Sequence, residues 1–169
     1  MLKLLALAAA AASASPSTAL KSNAPWWETL TVTIASDGQT RGCEYRSSQT
    51  PEKKACDVTG PAGSADAGAP KEQYTKLTFE RRFRPTIDGA SEDQAPTGDT
   101  LLGHQVLALA IDAEGAVAGC KIVAKSGDMT PDYGCKEAKT EKFEAKAATG
   151  QAREGYMSIL VYGHAEELV

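Results

Sequence analysis

Two cysteines stand at the same distance from the same kind of turn, and this recurrence constrains the fold of the 169-residue chain more than anything else in it. Cys43 follows Gly38 and Cys120 follows Gly115; 120 less 43 and 115 less 38 are both 77, so turn and cysteine superimpose without a gap. A strand-like run precedes each turn. In "LTVTIAS", Leu30, Val32 and Ile34 alternate with Thr31, Thr33 and Ala35; in "VLALAID", Leu107, Leu109 and Ile111 fall on one face. Alternation of period two is the mark of a half-buried strand, so each run opens a hairpin.

The recurrence continues past the hairpins. Thr50-Pro51-Glu52 and Thr130-Pro131-Asp132 both read as helix starts, with a hydroxyl at the N-cap, proline in the first turn and a carboxylate near the positive end of the dipole. A second cysteine follows each, Cys56 or Cys135. "YTKLTF", Tyr74 to Phe79, matches "YMSILV", Tyr156 to Val161, as a closing strand. The segments between differ. Asp132 to Ala148 is rich in Ala, Lys and Glu and predicts a helix of several turns. "GPAGSADAGAP", Gly60 to Pro70, holds none, and leaves the first copy one turn and a loop.

The expected fold class is therefore α+β: two tandem antiparallel three-stranded units, each with a helix on one face, short or lost in the first. The units span 15–85 and 100–169, with a polar linker over 86–99. A single α+β domain with both hairpins in one sheet is the alternative. Packing of helix on sheet in the second unit is expected to bury Leu107, Leu109, Ile122, Phe143 and Ile159, and Trp26 to act as a hydrophobic clasp with Trp27.

Four cysteines allow three pairings, of which the recurrence favours the local one, Cys43 with Cys56 and Cys120 with Cys135. Closing a loop of about 15 residues stabilises by roughly 3 kcal/mol in the chain-entropy account, a large share of what a small domain possesses. The start of the chain agrees with an oxidising destination. "MLKLLALAAAAASASPS" reads as a signal peptide over 1–14, cleaved after Ala14, its apolar run too short to span a bilayer. The expected location is periplasmic or secreted, with no stable membrane insertion after cleavage. Cleavage removes only Lys3 among the charged residues, leaving 17 basic side chains against 22 acidic, a balance that argues against nucleic acid as a partner.

The second copy resembles the C-terminal domain of the TonB energy-transducer family, in a disulfide-containing exported subgroup. The matching residues are Ile111, Asp112, Gly115 and Val117 at the turn, Ile122, Val123, Ser126 and Gly127 along the next strand, and Asp132 and Cys135 at the helix start. "KFEA", Lys142 to Ala145, stands for the helix end, with Glu144 where the family prefers proline. The first copy is a degenerate relative through Asp37, Gly38, Arg46, Ser47 and Ser48. The uncleaved anchor, the Pro-rich spacer and the "YP" before the first strand are missing, so the resemblance implies binding rather than force transduction.

What it implies is a protein-interaction module, linked to transmembrane transport, that adds an extended peptide to an exposed strand. The expected partner is a protein or peptide of the cell envelope, an outer-membrane receptor among the candidates, with dimerisation through strand pairing left open. The candidate edge is the last strand: Tyr156, Met157, Ser158, Ile159, Leu160, Val161 and Tyr162. No catalytic, cofactor-binding or metal residues are assigned. GxSxG, SxxK, HExxH, P-loop and dinucleotide fingerprints are missing, and the cysteine spacings do not form a zinc ribbon. The cheapest sign of an enzyme would be a His gathered with a carboxylate. A structural or regulatory envelope protein is the other alternative, with Lys76, Arg81, Arg82 and Arg84 read as the solvent face of a strand.

Overall fold

The computed structural model describes residues 20–56, 74–86, 93–129, 131, 133–145 and 152–166. Its strands are β1 (Trp26–Ile34), β2 (Thr40–Ser47), β3 (Thr50–Ala55), β4 (Lys76–Arg84), β5 (Asp99–Ile111), β6 (Val117–Gly127) and β7 (Arg153–His164), with one helical turn, α1 (Cys135–Ala138), between β6 and β7. All seven strands form one antiparallel sheet in the order β3-β2-β1-β4-β7-β5-β6. This overturns the α+β expectation of separate three-stranded units, each carrying a helix.

Three local readings fail for identifiable reasons. Thr50-Pro51-Glu52 starts a strand rather than a helix, because β3 lies at the sheet edge, where a proline with no N–H to donate is tolerated. The helix expected over 132–148 is a single turn within the described residues. After Ala138 the chain extends so that Phe143 can enter the core, with the Phe143 N–H donating to the Gly115 carbonyl and Lys142 bridging to Ala116. Tertiary burial outweighs the helix propensity of Ala, Lys and Glu. Ile122, expected in the core, is 52% exposed because so short a helix does not reach across β6.

The hairpin correspondence extends to individual pairs. Val32 pairs with Cys43 as Leu109 pairs with Cys120, and Leu30 with Tyr45 as Leu107 with Ile122, all at the offset of 77. Both hairpins carry a register shift at the same point, between Thr33 and Ile34 and between Ala110 and Ile111. Both turn through a glycine at positive φ, Gly38 at 78° and Gly115 at 90°.

The closing strands correspond too, but not as the tyrosines suggested. Val32 faces Leu77 and Leu109 faces Gly155, so equivalent positions of β4 and β7 differ by 78, where matching Tyr74 to Tyr156 requires 82. Arg81 pairs with Ile159, and 159 less 81 is 78: equivalent positions meet there, and a local two-fold axis passes through that pair. The halves are thus joined closing strand to closing strand.

The main core lies on one face. Leu107, Leu109, Ile111, Met157 and Ile159 pack with Phe143 and Ala138 from the segment around α1, and with Trp26 and Phe83 from the first half. Trp26, 2% exposed, stacks on Phe83 with ring centroids 5.9 Å apart, and Phe83 meets Phe143 at 4.8 Å. Both disulfides have the local pairing. Cys43–Cys56 spans 5.1 Å between Cα atoms and Cys120–Cys135 spans 5.5 Å, within ordinary disulfide range. The second fastens α1 to the face it covers; the first fastens the end of β3 to β2.

Candidate functional site

β7 does not offer an edge. Tyr156 to Tyr162 pairs with β4 on one side and β5 on the other, so its main-chain groups are engaged in two ladders. From Met157 to Tyr162 every residue is buried, and Ser158 and Leu160 are fully so. The alternating apolar residues that suggested a half-exposed strand belong to a strand covered on both faces. The edges of the sheet are instead β3 and β6.

These two edges differ in kind. β3 is short, wholly exposed and carries Pro51, Lys53 and Lys54. Proline blunts an edge against further pairing, and β3 offers no large apolar side chain to a partner. β6 is longer and displays Ile122 and Val123, 52% and 44% exposed. Val106 pairs with Ala124 and Leu107 with Ile122, so Val123 is the extra residue of a β-bulge. The bulge turns the flanking lysines to opposite faces, Lys121 with Ala108 and Lys125 with Gln105. Among the described residues, no strand pairs with the outer side of β6.

The basic group on β4 divides: Lys76 and Arg82 stand on an open side of the sheet, whereas Arg81 and Arg84 are largely buried in ion pairs. Arg81 donates to Glu28 and, at 2.7 Å, to Glu141, while its guanidinium lies 4.7 Å from the Tyr133 ring. Lys21 donates to the other Glu28 oxygen at 2.6 Å. Burial by itself raises the Glu28 pKa, and the charges of Arg81 and Lys21 outweigh it, holding the carboxyl below its ordinary 4.5. Burial likewise works against the Arg81 charge, and Glu28 and its neighbours reverse the effect. The Tyr45 hydroxyl is pushed up to about 12, first by burial and then by the Glu28 charge. This network sits at the two-fold position and ties together β1, β4 and the segment after α1. Glu28 was its signal in the sequence, a charge on the strand face shared with Trp26, Leu30 and Val32, where a buried carboxylate requires a cation.

Arg84 is held by Asp93 at 3.0 Å and by the Ser158 hydroxyl at 2.9 Å. Asp93 also accepts from Ser158 at 2.7 Å and lies 3.0 Å from His104 Nε2. Burial acts to raise the Asp93 pKa; the bonds from Ser158 and His104 and the Arg84 charge lower it overall. A second histidine, His164, meets Asp99 at 2.7 Å. The structure therefore does gather histidines with carboxylates. In the first cluster, however, Asp93 stands between Ser158 and His104, so the hydroxyl is bonded to the carboxylate and to Arg84 rather than to an imidazole base. That order pins the 93–98 segment to β5 and β7; it does not activate a nucleophile.

The remaining feature was unforeseen. On the side of β1 opposite Trp26 and Glu28 runs an open groove of about 670 Å³, floored by Trp27, Thr29, Thr31 and Thr33. Trp27 is 40% exposed there, on the face opposite Trp26, so the two indoles do not form the partly buried clasp expected of the pair. Arg46 and Glu44 of β2 flank one side, and Lys76, Thr78, Glu80 and Arg82 of β4 the other.

No helix among the described residues is long and apolar enough to cross a membrane, and residues 1–14, read as a signal peptide, lie outside those described. Comparison with known proteins returns no matching family, no matching curated protein and no matching solved structure.

Proposed function

We propose that the chain is a protein-interaction module of the cell envelope that takes an extended peptide along the outer side of β6. One observation carries the reading: of two equivalent edges, β2 is covered by β3 through its own chain, while β6 bears exposed aliphatic residues and has no strand beside it among the described residues. An added strand would satisfy the main-chain groups left open along β6, and Ile122 and Val123 would supply apolar contact. Lys121 and Lys125, one on each face, favour a peptide with acidic side chains. The proposal keeps the mode of binding that the TonB resemblance implies and moves it from Tyr156–Tyr162 to β6. Export belongs to the same proposal, since two disulfides persist best in an oxidising compartment.

The test is to select binders from a random peptide library displayed on phage, then follow amide exchange of the intact oxidised protein with each selected peptide. Slowed exchange along Val117–Gly127, lost in the Ile122→Asp variant, is the expected result. Peptides that protect only other strands, or slowed exchange that depends on protein concentration without peptide, would reject it; the latter would mean that a second copy takes the edge.

A further inference from the structure

We infer that the groove over β1 is a binding site for a neutral, linear oligosaccharide, separate from the β6 edge. The argument begins with the alternation of one strand. In Trp26–Ile34 the odd-numbered positions from Trp27 to Thr33 place one indole and three threonine hydroxyls in line on a single face, while Trp26, Glu28, Leu30 and Val32 go to the other. Successive residues of one face stand about 7 Å apart, so the row from Trp27 to Thr33 runs roughly 20 Å. Side chains of both neighbouring strands stand directly opposite its two middle members. Thr29 has Arg46 and Glu80 on its two sides, and Thr31 has Glu44 and Thr78.

The chemistry of these neighbours restricts the ligand. Glu44, Glu80 and Asp99 are matched in number by Arg46, Lys76 and Arg82, so the lining carries no formal net charge. Several of the charges are already paired: Arg82 Nε donates to Glu80 at 2.6 Å, Arg46 Nε lies 2.9 Å from Glu44, and the Tyr162 hydroxyl donates to Glu80 at 3.1 Å. A polyanion would have to displace these carboxylates and finds no excess of cations, which disfavours nucleic acid and polysulfated chains. A purely apolar ligand would leave the hydroxyls and ion pairs without solvent. A pyranose chain presents both surfaces that the groove asks for. Its C–H face can lie on the exposed indole, and its hydroxyl rim can exchange hydrogen bonds with threonine hydroxyls and with carboxylates fixed by their arginine partners. An open trough, rather than an enclosed cavity, suits a chain that continues past both ends.

The chain has only two tryptophans, Trp26 in the core and Trp27 in the groove, so the indole N–H signals of the intact oxidised protein give two resonances to follow by NMR. The probes are cellotetraose, maltotetraose and N-acetylchitotetraose, each titrated to about 10 mM, with a heparin tetrasaccharide as the charged comparison. At least one neutral probe should shift the Trp27 resonance, identified by its loss in Trp27→Ala, and leave Trp26 unmoved. Trp27→Ala should weaken that binding at least about tenfold, and Thr31→Val, which also removes the 3.1 Å bond between the Thr31 and Thr78 hydroxyls, severalfold, both in proteins that remain folded. The proposal is overturned if no neutral probe moves Trp27, if only the heparin fragment does, or if iodide fails to quench the Trp27 emission, which would mean that the chain itself covers the groove. Binding of a selected peptide along β6 should leave the Trp27 resonance where it is.

Discussion

The two halves of the sheet share turn, register and disulfide position, yet they finish their exposed features differently. In the first half the strand after the hairpin folds back as β3 and seals the edge; in the second, the equivalent stretch leaves the sheet as α1 and covers a face instead. The turns show the same division. Among the described residues nothing lies within 4 Å of a Cβ built on Gly38, whereas at Gly115 a Cβ would overlap the Phe143 carbonyl, because the segment after α1 docks there. One disulfide thus protects an edge and leaves a face to other neighbours, and its counterpart protects a face and leaves an edge. The difference teaches that a shared hairpin frame does not decide where a binding surface opens. The segment following each hairpin does.

The contrast is broken most severely at Phe143. Phe143→Ala removes a fully buried ring that meets Phe83, and should cost about 4 kcal/mol by denaturant unfolding, where truncating the half-buried Phe79 of the first half should cost clearly less. The disulfides sharpen it next. Replacing Cys120 and Cys135 together by serine should lower global stability by about 3 kcal/mol, since it frees a segment that carries part of the core. The same change at Cys43 and Cys56 should show mainly as faster amide exchange in β3, whose residues are all exposed, with a smaller global effect.

The ion network at the two-fold position tests whether the halves are coupled. The folded pKa of Glu28 is depressed, so its contribution is present above the ordinary value of 4.5 and is lost as pH falls through the folded value. Glu28→Gln should therefore cost about 3 kcal/mol at neutral pH and flatten the acid limb of the stability profile, with both halves loosening together in thermal melts followed by amide exchange. The smallest thermodynamic effect is expected at the open edge. Replacing Lys121 and Lys125 by threonine should change stability by no more than about 0.5 kcal/mol, yet raise self-association in sedimentation by removing charges that keep β6 from pairing with itself.

Much of this frame was legible in the residues. The alternation of Leu107, Leu109 and Ile111, the glycine turns and the two local cysteine pairs needed only period-two patterning and the recurrence at 77. What could not be read was which strand lies beside which. Pairing of β4 with β7 links residues about 78 apart, and no local signal encodes it, so Tyr156–Tyr162 reads as an edge although it lies inside the sheet. Thr50-Pro51-Glu52 satisfies the rules for a helix start and an edge strand equally well, and the equivalent disulfide in the second half accompanies a helix, so only the pairing with β2 decides between them. The β1 groove was missed for another reason. The adjacent tryptophans suggest one shared role, whereas neighbouring residues of a strand face opposite ways.

The central pairing also orders events in time. During synthesis, β4 waits with one side bare until the twelve-residue strand β7 has left the ribosome, because among the described residues β7 is the strand that takes that place. Completion of the sheet around β4 is thereby deferred until β7 has been made, and such long-separated pairing is slow. A chain built this way stays threadable for longer than one whose halves close independently.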